Sequence, residues 1–189
     1  MASQRGDFPW GELVERPTRA VALDWHTADI EEPGLDARIK SIGKKGVYAF
    51  EGCHDAHPFG TILYVGQSGA GKDLGGQLST RIPNSLGKIG RWKSGQDRRL
   101  HSDVWNVVVR WAEVKDTATI TGIEAMLICA HSPPFNAQFA RVQLHQDYQH
   151  WMVMNAGRKG RLLPVIYGGY LIDNLWEESM AVIPGPGQK

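Results

Sequence analysis

The sequence predicts an α/β (α+β) chain built on a small three-stranded, mainly antiparallel sheet flanked by helices, with N- and C-terminal extensions. Three observations carry this. Val47-Tyr48-Ala49-Phe50 and Thr61-Ile62-Leu63-Tyr64-Val65 are short runs rich in β-branched and aromatic residues, close enough in the chain to pair. Val104 to Trp111 is a third such run and the densest of the three. Helical patterns separate and follow these strands, giving the order strand, strand, helix, strand, helix.

The details follow in chain order. Residues 1–43 contain Pro9, Pro17 and Pro33 and are rich in acidic residues, so an arm wrapping the core is expected. Between the first two strands, Glu51 to Gly60 reads as a long hairpin loop. A glycine turn after Val65 leads to a helix expected over about 74–82, stopped by Pro83. Residues 84–99 are polar. Thr117 or Thr119 can cap the next helix, which ends before Pro133-Pro134. Residues 139–156 read as a further helix, and 162–175 as a strand and short helix. The chain of 189 residues is expected to be a single domain, with a core over about 44–137, an N-terminal arm 1–43 and a C-terminal extension 138–189.

Composition excludes several classes. The hydrophobic fraction is 42%, the charged fraction 22% and the net charge +1, which is ordinary for a globular domain. Cys53 and Cys129 make neither a disulfide framework nor a CxxC metal motif. No apolar run is long enough to span a membrane. None follows the first charged residues as in a signal peptide, so a cytoplasmic setting is expected.

Gly66 to Lys72 matches the GxxxxGK part of a phosphate-binding loop. The next residue is Asp73, where a hydroxyl should meet magnesium and where a carboxylate repels phosphate. A nucleotide phosphotransferase is therefore the weaker reading of this turn.

Glu124 is the most informative single residue. Ile120 and Ile128 lie one turn either side of it, with Ile123 and Leu127 close by, so the carboxylate sits on an apolar helix. A carboxylate that has lost its water needs a metal ion, an arginine or a lined cleft; a buried salt bridge or a rotated helix are the plain alternatives. Arg81 falls near the end of the expected helix 74–82, where a cation complements the macrodipole. With Lys88, Arg91, Lys93, Arg98 and Arg99 it forms a basic stretch containing one acidic residue, Asp97, suited to a phosphate backbone. His54 and His57 beside Cys53 suggest zinc only weakly, since no fourth ligand is near.

Taken together, Gly46-Val47-Tyr48, Tyr64-Val65-Gly66, Arg81, Glu124 and Asn136 resemble the GIY-YIG nuclease family, with Val for Ile in both triplets. Each triplet is a weak match alone; five features in order on matching elements are specific. The resemblance covers about half the chain. It implies a metal-dependent endonuclease acting on double-stranded DNA, with Mg²⁺ (or Mn²⁺ as substitute) held by Glu124. It further implies Arg81 on the phosphate, Tyr64 as base assisted by Tyr48 or Lys72, and Asn136 as a brace. The chain departs from the family pattern in the Cys53–Gly60 insertion and in Ser85, which stands where many members carry His or Tyr; His101, Lys88 or Lys72 could fill that role. The organisation is closest to the compact type II restriction endonucleases of the family, which would act as a homodimer on DNA. A stand-alone structure-specific or mobile-element nuclease is the alternative, and a non-catalytic DNA-binding protein a further one.

Overall fold

The computed structural model describes residues 17–42, 45–69, 77–91, 99–136, 144–169 and 171. Its strands are β1 (Arg19–Asp29), β2 (Gly46–His54), β3 (His57–Ser68), β4 (Gly90–Arg91), β5 (Arg99–Leu100), β6 (Val104–Glu113), β7 (Trp151–Gly157) and β8 (Val165–Tyr167). Its α-helices are α1 (Leu35–Ser41), α2 (Leu78–Leu86) and α3 (Ile120–His131). Six strands form one curled mixed sheet in the order β3-β2-β6-β1-β7-β8, and β4-β5 form a separate ribbon.

This corrects the expected architecture. The three strands expected from sequence do lie side by side, β3 antiparallel to β2 and β2 antiparallel to β6. They are only half of the sheet, because β6 pairs on its other side with β1 and β1 runs parallel to β7. The stretch expected to be a wrapping arm therefore contains a central strand. Its alternation of Val21, Leu23 and Trp25 with Ala22, Asp24 and His26 is strand periodicity, and Pro17 and Pro33 lie outside the strand. They bound it and do not break it.

The helix expected over 139–156 is also corrected within the described residues, since Trp151–Gly157 is a strand. Alternation decides the matter again: Val153 and Asn155 are buried, while Met152 and Met154 are only partly buried and Ala156 is exposed. Asn155 is satisfied inside the protein. Its side-chain oxygen accepts from Trp25 Nε1 at 2.8 Å and its amide donates to the Leu163 carbonyl at 2.7 Å.

Two smaller departures have local causes. The expected hairpin loop is mostly strand: β2 and β3 continue to His54 opposite His57, and the chain turns at Asp55–Ala56. Pro83 lies inside α2 and does not stop it. As the sixth of nine residues Pro83 gives up one helical bond, and the helix is held instead by Leu78, Ile82 and Leu86, which bury one continuous stripe.

The sheet is covered on both faces. Val47, Ala49 and Val65 pack with Ile120, Ile123, Leu127 and Ile128 of α3. Tyr48, Phe50 and Leu63 pack on the other face with residues of α1 and α2, among them Ile39 and Ile82. Burial on both sides explains why these strands read as apolar runs. Among the described residues, no helix is long and apolar enough to cross a membrane.

Trp25 is 1% exposed and bonded to a strand 130 residues away. Trp25→Ala should cost about 3–5 kcal/mol, read as a shift in the urea unfolding midpoint. A loss under about 1 kcal/mol would restore the view of residues 1–43 as a dispensable arm.

Candidate active site

The two motif glycines are sterically required. Gly46 pairs with Glu113 of β6, and a Cβ there would overlap the Ala112 carbonyl oxygen. Gly66 lies directly opposite Tyr48, and a Cβ there would overlap the Tyr48 ring and hydroxyl. The missing side chain leaves room for the Tyr48 phenol across the outer strand.

Tyr48 is 2% exposed and its hydroxyl lies 2.6 Å from Ser85 Oγ. Burial pushes its pKa well above the ordinary tyrosine value; the Tyr64 phenol and the Glu124 carboxylate push the same way, against the Ser85 hydrogen bond. The Tyr64 ring is 6.2 Å from that of Tyr48 and stacks on Phe50 at 5.8 Å. A bulge sets this up. Phe50 faces Tyr64 and Glu51 faces Ile62, which leaves Leu63 as the extra residue of β3.

Glu124 is half-buried, and desolvation pushes its pKa up to about 7, opposed by the charge of Arg81. Arg81 belongs to α2 and Glu124 to α3, which pack on opposite faces of the sheet. Both helices also contact the outer strand β3, and the charge of Arg81 is felt at Glu124. Arg81 lies toward the start of α2, its N–H bonded to the Gln77 carbonyl at 3.0 Å, so it is not the helix-end cation considered from sequence. A helix start disfavours positive charge.

Asn136 is 5% exposed. Its side chain brackets Val65, accepting from the N–H at 2.7 Å and donating to the C=O at 2.8 Å. Phe135 N–H adds a bond to the Leu63 carbonyl at 3.0 Å. Asn136 is thus the lock on the outer edge of β3.

Of the other sequence candidates, Lys72, Lys93 and Arg98 lie outside the described residues. Lys88 is exposed beyond α2. Arg91 and Arg99 are exposed and face each other across the β4–β5 ribbon.

Ser85 entered the sequence reading only as a departure from the family pattern. Its position one turn after Arg81 was the available signal, because residues four apart share a helix face. His101 does not join the tyrosines: it stacks on Phe135 at 6.4 Å, and His54, ion-paired with Asp103 at 3.0 Å, meets the same ring edge-on. The phosphate-loop match also loses ground. Gly66, Gln67 and Ser68 are strand residues paired with Tyr48, Val47 and Gly46, where such a loop would begin to turn.

Among the described residues no group of three or more His, Cys, Asp or Glu could hold a metal. Among the described residues His54, His57 and Cys53 thus form no zinc centre. A lone desolvated carboxylate does fit Mg²⁺, which keeps most of its water and takes one or two carboxylates. Comparison of the chain with protein-family models, curated proteins and solved structures returns no significant match.

Two predictions follow from this geometry. Ser85→Ala leaves the buried Tyr48 hydroxyl without its partner and should cost about 1–3 kcal/mol; adding Tyr48→Phe should recover part of the loss in a double-mutant cycle. The second concerns pH. Below about pH 4.5 Glu124 is protonated in folded and unfolded chains alike and carries no penalty. Between about 4.5 and 7 the folded chain keeps a proton that the unfolded chain has released, so stability falls as pH rises. Above 7 the whole cost, about 3 kcal/mol, is present. Buried His131, whose pKa is lowered to about 4, adds stability as pH rises through the same range, so Glu124 is read from a difference. In urea titrations of metal-free protein, the change in stability from pH 5 to pH 8 should be less favourable in the wild type than in Glu124→Gln by about 2–3 kcal/mol. Equal changes in both would put the carboxylate in water.

Proposed function

We propose that this chain is a Mg²⁺-dependent endodeoxyribonuclease of the GIY-YIG kind, a type II restriction-like enzyme hydrolysing phosphodiester bonds of double-stranded DNA. The observation that carries the proposal is convergence. Tyr48, Tyr64, Arg81 and Glu124 come from β2, β3, α2 and α3 and meet at the outer strand.

The roles follow from environment. Arg81, exposed and always charged, grips the phosphate through its fork of donors. Tyr48 is buried with a raised pKa, so it keeps its proton and acts as a hydrogen-bonding partner. Tyr64 is half-buried and can meet solvent, which makes it the group that takes the proton of the attacking water. Glu124 would hold Mg²⁺, with Mn²⁺ as a substitute; that ion supplies positive charge to the phosphate and the leaving oxygen. Asn136 keeps Val65, and with it Tyr64, in place. One site per chain means that two cuts in a palindrome need two copies, which favours a homodimer on DNA. Cys53 and Cys129 are not joined in a disulfide, in keeping with a reducing cytoplasm.

Plasmid DNA with Mg²⁺ tests the reading. Discrete bands are expected. A smear or flap cutting would favour a structure-specific or mobile-element nuclease, and binding without cleavage would favour a non-catalytic DNA-binding protein. Glu124→Ala should abolish cleavage while DNA binding persists in a gel-shift assay; a cleaving variant would remove the metal role. Arg81→Lys should lose roughly a hundredfold or more in rate, because a point charge does not replace the guanidinium fork.

A further inference from the structure

The tip of the β2–β3 hairpin carries a feature that packing does not explain. Between the pairs Gly52–Thr61 and His54–His57, β2 has one residue and β3 has three. The surplus pushes the chain out at Pro58 and Phe59, and the Phe59 side chain is left 87% exposed, against 46% for Leu163. A phenyl ring held in water forgoes its hydrophobic stabilisation, and here it stands on a hydrogen-bonded hairpin.

The backbone behind the ring is fixed by charge. The Arg161 guanidinium donates to the Phe59 carbonyl, and Gly60, at φ +92°, has no side chain to block it. Arg161 N–H donates to Glu51 Oε2 at 3.0 Å, and Arg110 Nε reaches the same oxygen at 2.7 Å. Glu51 thus serves two arginines at once, and the Arg161 side chain stays partly open to solvent beside the ring. Arg158 is exposed on the same loop, and the Arg161 side chain remains 52% exposed. Of the nearby carboxylates, Asp103 is paired with His54, and Asp55 lies at the turn itself. A rigid, exposed aromatic ring flanked by arginines suits a partner with π-faces and a phosphate backbone. A second copy of this chain would bring the same arginines together.

We propose that the β2–β3 hairpin tip is a second DNA contact, with Phe59 wedged against the bases and Arg158 and Arg161 on the flanking phosphates. The partner rests on the nuclease reading above. Phe59 and Tyr64 share the outer strand five residues apart, about 17 Å. That is roughly five base-pair steps along B-DNA, so the ring meets the duplex well away from the cut bond and helps select or deform the site.

The test measures binding and cleavage on the same proteins. A labelled mixed-sequence duplex is titrated by fluorescence anisotropy with Ca²⁺ in place of Mg²⁺, using wild type, Phe59→Ala and Arg158→Ala. Phe59→Ala should bind about tenfold more weakly with an unchanged salt dependence. Arg158→Ala should lower the salt slope by about one. Thermal unfolding of both should match wild type, since both side chains are exposed. If wild type cleaves plasmid and Phe59→Ala binds equally well, the tip contact is overturned and the nuclease reading stands. If a wild-type dimer dissociates on Phe59→Ala while DNA affinity is unchanged, the ring belongs to a second copy and the tip contact is again overturned. Failure of wild type to cleave with Mg²⁺ or Mn²⁺ overturns the nuclease reading; the binding titrations then decide the tip contact separately.

Discussion

An outer strand cannot leave a row of backbone donors and acceptors without partners in a partly buried setting. In this protein that constraint falls on β3, and residues 135 and 136 answer it through the Leu63 carbonyl and both polar backbone groups of Val65. Much of the site follows. To reach β3 the chain must leave α3 sharply, which it does at Ser132 in a left-handed conformation (φ 44°), with Ser132 N–H bonded to the Ile128 carbonyl at 2.8 Å. The end of α3 is thereby tied to the strand that carries Tyr64. The same tie seats Glu124 near the tyrosines, although its helix packs on the opposite face from Tyr48.

The electrostatic state of the site is unusual for a surface that would bind a polyanion. Two of its acids, Tyr48 and Glu124, are biased toward their neutral forms by loss of water. Arg81 keeps its charge at the rim. A phosphate therefore meets positive charge first and little opposing negative charge behind it. A divalent cation reverses this preference at Glu124, since a bound ion is the largest local charge in such a site. On the proposed function, metal and DNA would be mutually supportive ligands of one small cluster.

The residues of the proposed site could be named from the sequence because each stands in a local pattern. Tyrosines at glycine-flanked strand ends, a carboxylate on an apolar helix and an arginine between them can be recognised without knowing how many strands stand beyond. The full sheet was not legible, for a physical reason. β1 buries only Leu23 and Trp25 as large alternate residues, a pattern weakened by the small Ala20 and Ala22 and flanked by prolines. β7 contains two methionines and an alanine, good helix formers. Each strand is stabilised by the other, so neither looks convincing alone. Ser85 was hidden differently: a serine on a helix announces nothing until the partner of its hydroxyl is known.

The parallel pairing of β1 with β7 also bears on how the chain is made. Trp25 and Asn155, which bond across that pair, are 130 residues apart. β2, β3, β6 and α3, which supply the tyrosines and the glutamate, are all synthesised before β7 emerges. Contacts of such long range are slow to form, and an unfinished chain keeps one side of β1 without its partner. The closing of the sheet is a late event that joins the first described strand to nearly the last. For a protein whose proposed chemistry would damage the host's own DNA, the order of synthesis places completion of the fold after the reactive groups are built, and couples their final rigidity to arrival of the C-terminal strands.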